Sequence, residues 1–180
     1  MHLYVYNPAK AARLHHMLGK GVSMVELLRV DDRLLHGQVA YAWSKSIPLN
    51  LIVIANDAVA VDKARKATFA LSKPAGVKLV ISTVEKTVAF LNSDKAKAYS
   101  ILVLVDSMHD ARVLAEGCAD VAAVNLGGLR EHGDSKRYTN AVCLTDADLD
   151  DIRAVMDAGK EVYAQQVPAD TKVSAATFSK

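Results

Sequence analysis

The segment between residues 29 and 43 concentrates side chains that can bind or transfer an anionic group. It reads R-V-D-D-R-L-L-H-G-Q-V-A-Y-A-W, and His36 falls between an apolar run and a stretch of helical period. A neutral imidazole is a nucleophile near neutral pH and needs no separate base. The free amides and the positive dipole end of a helix start favour a phosphate on or beside such a ring. His36 is therefore the candidate nucleophile for phosphoryl transfer.

Several neighbours of this histidine could support a phosphoryl group. Arg33 offers a planar cation that matches phosphate oxygens. Gly37 lets the backbone approach closely, and Gln38 could donate a hydrogen bond to a phosphoryl oxygen. Asp31 and Asp32 could hold the arginine or fix the tautomer of the imidazole. Spacing alone leaves a plainer interpretation open, in which these residues form a helix cap and a surface ion-pair cluster.

The elements that must position these residues follow from the hydrophobic pattern. Short β-branched apolar runs predict strands at residues 25–30, 49–55, 77–81, 101–105, 121–126, 141–144 and 161–167. The first five show little polar alternation, which is typical of strands buried on both faces. Stretches of helical period lie between them, and Ser82 and Ser107 fit the pattern of helix caps. We predict a single α/β domain with an open, mostly parallel twisted sheet of six to seven strands and helices on both faces.

One predicted helix and two strand ends leave alternatives open. The second helix is expected to turn Val61, Ala64, Thr68 and Leu71 inward. The strand-end residues Asn56, Asp57, Asp106 and Ser107 could face the histidine loop or could cap helices. Asn125, Gly127 and Gly128 could bring backbone amides near the phosphate, or could form a tight turn that needs positive φ.

Composition predicts one compact domain without a metal or a cofactor. The chain has 180 residues, of which 51% are hydrophobic and 23% charged, as in ordinary globular domains. Cys118 and Cys143 lie in apolar runs with no partner at a metal-ligand spacing, so we expect buried thiols in a reducing compartment. The longest apolar runs are far shorter than the roughly 20 residues that cross a bilayer.

Residues 1–23 differ from the rest of the chain. They carry Lys10, Arg13 and Lys20 without an acidic residue and lack the apolar stretch of a secretory signal. We predict that they are a leader, non-native or disordered, and that the domain comprises residues 24–180. Without these three charges the net charge falls from +2 to −1, so no nucleic-acid partner is expected.

Residues 29–43 closely resemble the active loop of the IIB components of the mannose, fructose and sorbose phosphotransferase family. That loop reads R-x-D-D-R, two hydrophobic residues and H-G-Q, followed by Trp. The resemblance continues through I-A-N-D at residues 54–57, V-N-L-G-G at 124–128 and Q-V-P at 166–168. It therefore covers residues 25 to about 173, which is essentially the whole predicted domain.

The resemblance implies a phosphohistidine carrier that acts as a protein-phosphohistidine sugar phosphotransferase. In the family, the motif histidine accepts a phosphoryl group from a IIA domain and passes it to a sugar moving through the membrane subunits IIC and IID. By motif position this residue is His36, phosphorylated on Nδ1, with Arg33 stabilising the phosphate. A cytoplasmic location at the periphery of the permease complex follows. The sugar stays open, and a homodimer is compatible with the sequence.

A second hypothesis is a non-catalytic regulatory module that binds an anion or a sugar phosphate at the same loop without covalent transfer. Phosphorylation by the general phosphocarriers and a matching IIA domain separates the two, because only a carrier gains a phosphoryl mass. A nucleotide-binding enzyme is disfavoured, since the chain has neither G-x-G-x-x-G nor a P-loop lysine motif.

Overall fold

A seven-stranded sheet forms the centre of the computed structural model, which describes residues 24–179. Its strands are β1 (Val25–Asp31), β2 (Leu51–Ala55), β3 (Lys78–Ser82), β4 (Ile101–Val105), β5 (Ala123–Gly128), β8 (Glu161–Ala164) and β9 (Val173–Ser174). They are arranged in the order β3-β2-β4-β1-β5-β8-β9, and only β9 runs antiparallel to its neighbour. The predicted open and mostly parallel sheet is confirmed.

Helices cover both faces of this sheet. They are α1 (Gly37–Ser46), α2 (Asp57–Val61), α3 (Lys63–Ser72), α4 (Val84–Leu91), α5 (Met108–Gly117) and α6 (Asp146–Asp157), with 3-10 turns at Ala96–Ala98 and Ala175–Thr177. One apolar cluster joins α4, α5 and α6 to the sheet, and a second joins α1, α2 and α3 to its other face. No helix among residues 24–179 is both long and apolar enough to cross a membrane.

The register of β1 places the start of the histidine loop at the centre of the sheet. β1 lies between β4 and β5, and Arg29 pairs with Leu104 on one side and Asn125 on the other. The pairing with β5 shifts between Val30 and Asp31, so that Asp31 lies opposite Gly128. Because parallel strands end at the same edge, the loop after β1 emerges beside the end of β5.

The predicted second helix is wrong in its extent and in its buried face. Asp62 ends α2 and begins α3, where its side chain accepts hydrogen bonds from two amides of the next turn. This break changes the phase of the helical face. Val61 and Leu71 are 81% and 90% exposed, whereas Phe69 is the buried residue of α3.

Two strand predictions also need correction. The sequence predicts residues 141–144 as a strand of the sheet, but β7 (Cys143–Leu144) pairs with β6 (Lys136–Arg137) in a separate antiparallel pair. β3 is not buried on both faces: it is an edge strand of the sheet, and Val80 is 44% exposed. Ser82 pairs within β3, so the cap of α4 is Thr83 and not Ser82.

Candidate functional site

The exposed imidazole of His36 lies at the start of α1. His36 is the N-cap residue, with φ −111° and ψ 121°, and its side chain makes no cap hydrogen bond. The first amides of any α-helix have no acceptor within the helix. The ring is therefore presented to solvent beside unsatisfied donors, as expected for a group that handles an anion.

Two leucines anchor the loop that carries this histidine. Leu34 and Leu35 are buried in the apolar cluster beneath α1. Leu34 adopts φ 57°, a left-handed conformation that costs a side-chain-bearing residue free energy. Its amide donates to the carbonyl of Asp31 at 2.7 Å, which closes the turn. Burial of the two side chains offsets the strain and directs the next residue outward.

Asp31 lies fully buried at the end of β1 and accepts hydrogen bonds from two arginines. Its Oδ2 atom is 2.9 Å from Nη2 of Arg29. Its Oδ1 atom accepts from the backbone amide of Arg33 at 3.2 Å and from Nε of Arg33 at 3.4 Å. The Arg33 side chain is 38% exposed, and within residues 24–179 its one polar contact is the Nε contact with Asp31. The predicted contact between Asp31 and Arg33 is thus present, and it is long.

Arg29 is a buried cation in the middle of the sheet, with only 1% of its side chain exposed. Its Nη1 atom donates to Oδ1 of Asn125 at 2.8 Å and to the carbonyl of Gln165 at 3.2 Å. Burial lowers the pKa of Arg29, and the adjacent carboxylate of Asp31 opposes that shift. The guanidinium stays charged, because an arginine pKa remains far above neutrality.

Gly127 and Gly128 lie in β5 against the side chains of Arg29 and Asp31 and do not form a turn. Neither glycine has positive φ, since both belong to β5. A Cβ atom at Gly127 would lie 1.9 Å from Cζ of Arg29, and one at Gly128 would lie 3.4 Å from the Asp31 carboxylate oxygens. Gly127 therefore provides the space for the buried guanidinium, which neither of the two sequence interpretations anticipated.

Asp32 connects the histidine loop to the segment after β5. Its Oδ2 atom accepts from the backbone amide of Arg130 at 2.9 Å and from Nε of Arg130 at 2.8 Å. Its own amide donates to the carbonyl of Gly128 at 2.9 Å. The hydrogen bond that Nε of Arg130 donates to the Asp32 carboxylate raises the pKa of Arg130. Asp32 thus supports the loop, and within residues 24–179 its side-chain hydrogen bonds go to Arg130 and not to Arg33.

The remaining predicted support residues lie in the first turn of α1. The Gln38 side chain is exposed, and within residues 24–179 it has no hydrogen-bond partner. A Cβ atom at Gly37 would be 3.5 Å from the carbonyl oxygen of Ser72, which is ordinary van der Waals contact. Packing within the described chain does not require a glycine there, so any requirement comes from what approaches the loop from outside.

Comparison with known proteins identifies the family of this chain. The family model of the PTS system sorbose subfamily IIB component matches residues 25–180. A probable phosphotransferase enzyme IIB component from Streptococcus pyogenes serotype M6 is 32% identical over 156 residues, covering 83% of this chain and 96% of the relative. The chain belongs to the sorbose-subfamily IIB components of the sugar phosphotransferase system.

Two further relatives are a solved structure and a longer protein that matches this chain over part of its length. The IIB domain of the sorbose permease from Klebsiella pneumoniae superposes with a TM-score of 0.79 at 30% identity, covering 83% of this chain and 92% of that one. The mannose-specific EIIAB component of Escherichia coli K12 is 30% identical over 150 residues. The match covers 83% of this IIB component but only 46% of that longer relative.

The other strand ends of this IIB component are occupied by helix capping. Asn56 Oδ1 accepts from the amide of Val59, and Ser107 Oγ accepts from the amide of Asp110. Asp57 Oδ1 accepts from the amide of Val84 at the start of α4. The capping interpretation of Asn56 and Ser107 is therefore confirmed, and the Asp57 carboxylate has a structural acceptor role.

Sequence reasoning assigned no role to Arg29, Gln165 or Arg130. Arg29 carried a signal, because it is a charged residue between Leu28 and Val30 in a strand predicted to be buried on both faces. Such a charge needs a buried partner. Gln165 contacts Arg29 through its backbone carbonyl, which every residue type has. Arg130 lies in an irregular loop, where no sequence pattern predicts its contact with Asp32.

Proposed function

We propose that this protein is the phosphohistidine carrier of a sugar phosphotransferase system and that His36 holds the phosphoryl group. The observation that carries the proposal is the exposed His36 ring at the start of α1, without a cap hydrogen bond, within the R-x-D-D-R-L-L-H-G-Q loop. The donor is a IIA domain, and the acceptor is a sugar bound by IIC and IID membrane subunits.

Each transfer is an in-line substitution at phosphorus. The Nδ1 lone pair of His36 attacks the phosphorus of the phosphorylated IIA histidine. The old P–N bond breaks, and its electron pair returns to the donor imidazole. In the second step a sugar hydroxyl oxygen attacks the phosphorus, the P–N bond to His36 breaks, and its electron pair returns to the ring. The released imidazole takes up the hydroxyl proton. The protein supplies positioning and charge neutralisation, since the chemistry needs no further group.

Four neighbouring residues have supporting roles in this proposal. Arg33 approaches the phosphoryl oxygens with its guanidinium, and Asp31 orients Arg33 through its amide and Nε contacts. Gly37 leaves the loop open to the transferred group. Gln38 donates from its exposed amide, which no described residue engages.

The relatives support the partners and the setting. The EIIAB relative carries IIA and IIB in its name, and this chain covers 46% of its length, which supports a IIA domain as donor. The matched range of 25–180 supports a IIB domain that comprises residues 24–180. The predicted leader lies outside the described residues. The carrier would work in the cytoplasm at the periphery of the permease.

A phosphorylation assay tests the proposal directly. The full chain is incubated with phosphoenolpyruvate, the general phosphocarriers and a matching IIA domain, and the intact mass is measured. The wild type is expected to gain one phosphoryl group that is labile to acid. His36→Ala and His36→Gln are expected to gain none while keeping the wild-type unfolding transition.

His109→Gln is the matched control, because this histidine is 74% exposed, lies on α5 and is remote in sequence from the loop. It is expected to be labelled like the wild type. Acid-labile labelling of His36→Ala would reject the assignment. Phosphate or sugar-phosphate binding by the wild type without any gain of mass would favour the non-catalytic alternative.

A further inference from the structure

The buried Asp31 carboxylate is shared between two arginines of opposite environment. Arg29 is enclosed in the sheet and engages Oδ2, whereas Arg33 is partly exposed and engages Oδ1. The Arg29 contact measures 2.9 Å and the Arg33 side-chain contact 3.4 Å. Charge-assisted hydrogen bonds are commonly about 2.7 to 2.9 Å long. The carboxylate is therefore bound tightly on its inner side and loosely on its outer side.

Three residues besides Asp31 hold Arg29 in this position. Asn125 accepts from Nη1 and itself donates through Nδ2 to the carbonyl of Gln165, at 2.8 Å and 3.0 Å. The same carbonyl accepts from Nη1 of Arg29. Gly127 leaves the guanidinium its space, since any Cβ there would overlap Cζ. A buried charge with so many fixed partners has little freedom to move.

Arg33, unlike Arg29, is partly exposed and weakly held. Its guanidinium has one long side-chain contact, with Asp31, among residues 24–179. If Arg29 did not occupy Oδ2, both carboxylate oxygens would be available to Arg33, and a planar guanidinium binds a free carboxylate through two parallel hydrogen bonds. The buried arginine thus limits how strongly the carboxylate can retain the exposed one.

We propose that Arg29 is a positioning residue that keeps the Asp31–Arg33 contact weak, so that Arg33 can leave Asp31 for the phosphoryl group when His36 is phosphorylated. Asn125 and Gly127 keep Arg29 in place. A phosphoryl group carries up to two negative charges and three strong acceptor oxygens. It therefore outcompetes a carboxylate whose single charge is already shared. The inference rests on the proposed function of His36.

Phosphoryl acceptance by paired variants tests this role. Arg29→Met is expected to slow labelling of His36 at least about tenfold, the loss expected when one charge-assisted hydrogen bond to the transferred group is withheld. Adding Asp31→Asn to that variant removes the carboxylate that retains Arg33 and is expected to restore most of the rate. Because Asp31→Asn also removes the unpaired buried carboxylate that Arg29→Met leaves, urea unfolding of both variants is measured beside the labelling rate. The positioning role predicts that the loss and the rescue of rate persist under conditions where both variants are fully folded, whereas a purely structural role predicts that they follow the folded fraction. Arg153→Met, at an exposed arginine on α6, is the control and is expected to label at the wild-type rate.

The outcomes separate the two proposals. A wild type that gains no phosphoryl mass overturns the proposed function itself. A labelled wild type with Arg29→Met labelled at the same rate, or with no rescue by Asp31→Asn, overturns only the positioning role.

A measurement on the wild type decides the matter if Arg29→Met does not fold. In ¹H–¹⁵N spectra recorded before and after phosphorylation, the Nε–H signal of Arg33 is expected to shift because its acceptor changes. The corresponding signal of Arg29 is expected to shift less. An Arg33 signal that stays in place while the His36 ring signals move would overturn the inference.

Discussion

The start of α1 differs from the start of every other α-helix in residues 24–179. Five of the six N-cap residues accept a hydrogen bond from an amide of their own helix: Asn56, Asp62, Thr83, Ser107 and Thr145. His36 caps α1 without such a bond. The other caps consume their polar groups within the fold, where they stabilise it. At α1 the stabilising contact is missing, and both the ring and the first-turn amides remain available to an external anion.

Replacing His36 by a true cap should show the largest effect. His36→Asn is expected to abolish phosphoryl acceptance and to stabilise the fold by about 0.5–1 kcal/mol relative to His36→Ala, because Asn can accept from the free amides of α1. Intact mass and chemical unfolding measure the two results. Equal stability of the Asn and Ala variants would mean that the α1 amides are already satisfied.

The loop before α1 should depend on its leucines and not on a cap. Leu34→Ala is expected to lower the free energy of unfolding by about 2–5 kcal/mol, the cost of a large-to-small change at a buried site. Leu71→Ala, at a residue that is 90% exposed, is the matched control. It is expected to change stability by less than about 0.5 kcal/mol. Urea unfolding gives both values, and equal losses would contradict the anchoring role.

At a capped helix, replacing the N-cap residue should lower stability and leave phosphorylation unchanged, the reverse of the effect at α1. Thr145 and Asp148 form a reciprocal capping box on α6. Thr145→Ala is expected to cost about 1 kcal/mol of stability while phosphorylation of His36 proceeds at the wild-type rate. Thr68→Ala, in the exposed interior of α3, should cost nothing. Thermal unfolding and the mass assay together check this, and a slowed phosphorylation of Thr145→Ala would be the contrary result.

The smallest effect is expected at Asp110, in the first turn of the capped helix α5. Burial raises the pKa of Asp110, although the hydrogen bond with Ser107 acts in the opposite direction. A raised folded-state pKa means that the fold favours the neutral carboxyl group. The charged form therefore costs stability above the folded pKa, and the cost disappears as the pH falls below the unfolded value of about 3.9.

Asp110→Asn is accordingly expected to stabilise the protein by a few tenths of a kcal/mol at pH 7, a small value because the residue is only half-buried. At pH 3 the gain should vanish. Unfolding measured across this range provides the check, and a gain that grows towards low pH would reverse the sign of the argument.

The sequence predicted a helix or strand correctly where a single hydrophobic pattern extended over the whole element. Residues 101–105 read I-L-V-L-V and form β4 over that range, because a buried parallel strand requires such a run. The same reasoning failed at residues 57–72. There the apolar spacing looked continuous, but the capping carboxylate of Asp62 interrupts the helix and turns Leu71 to solvent.

The amino-acid sequence by itself determined the order of the elements, the alternation of strands and helices, and the loop that carries His36, because hydrophobic period and motif are properties of neighbouring residues. The tertiary structure alone decided the support of that loop. Arg29 reaches partners 96 and 136 residues away, at Asn125 and Gln165, and Gly127 is needed only because a guanidinium occupies its side-chain space. Contacts between distant segments depend on strand register, which no local pattern of residues encodes.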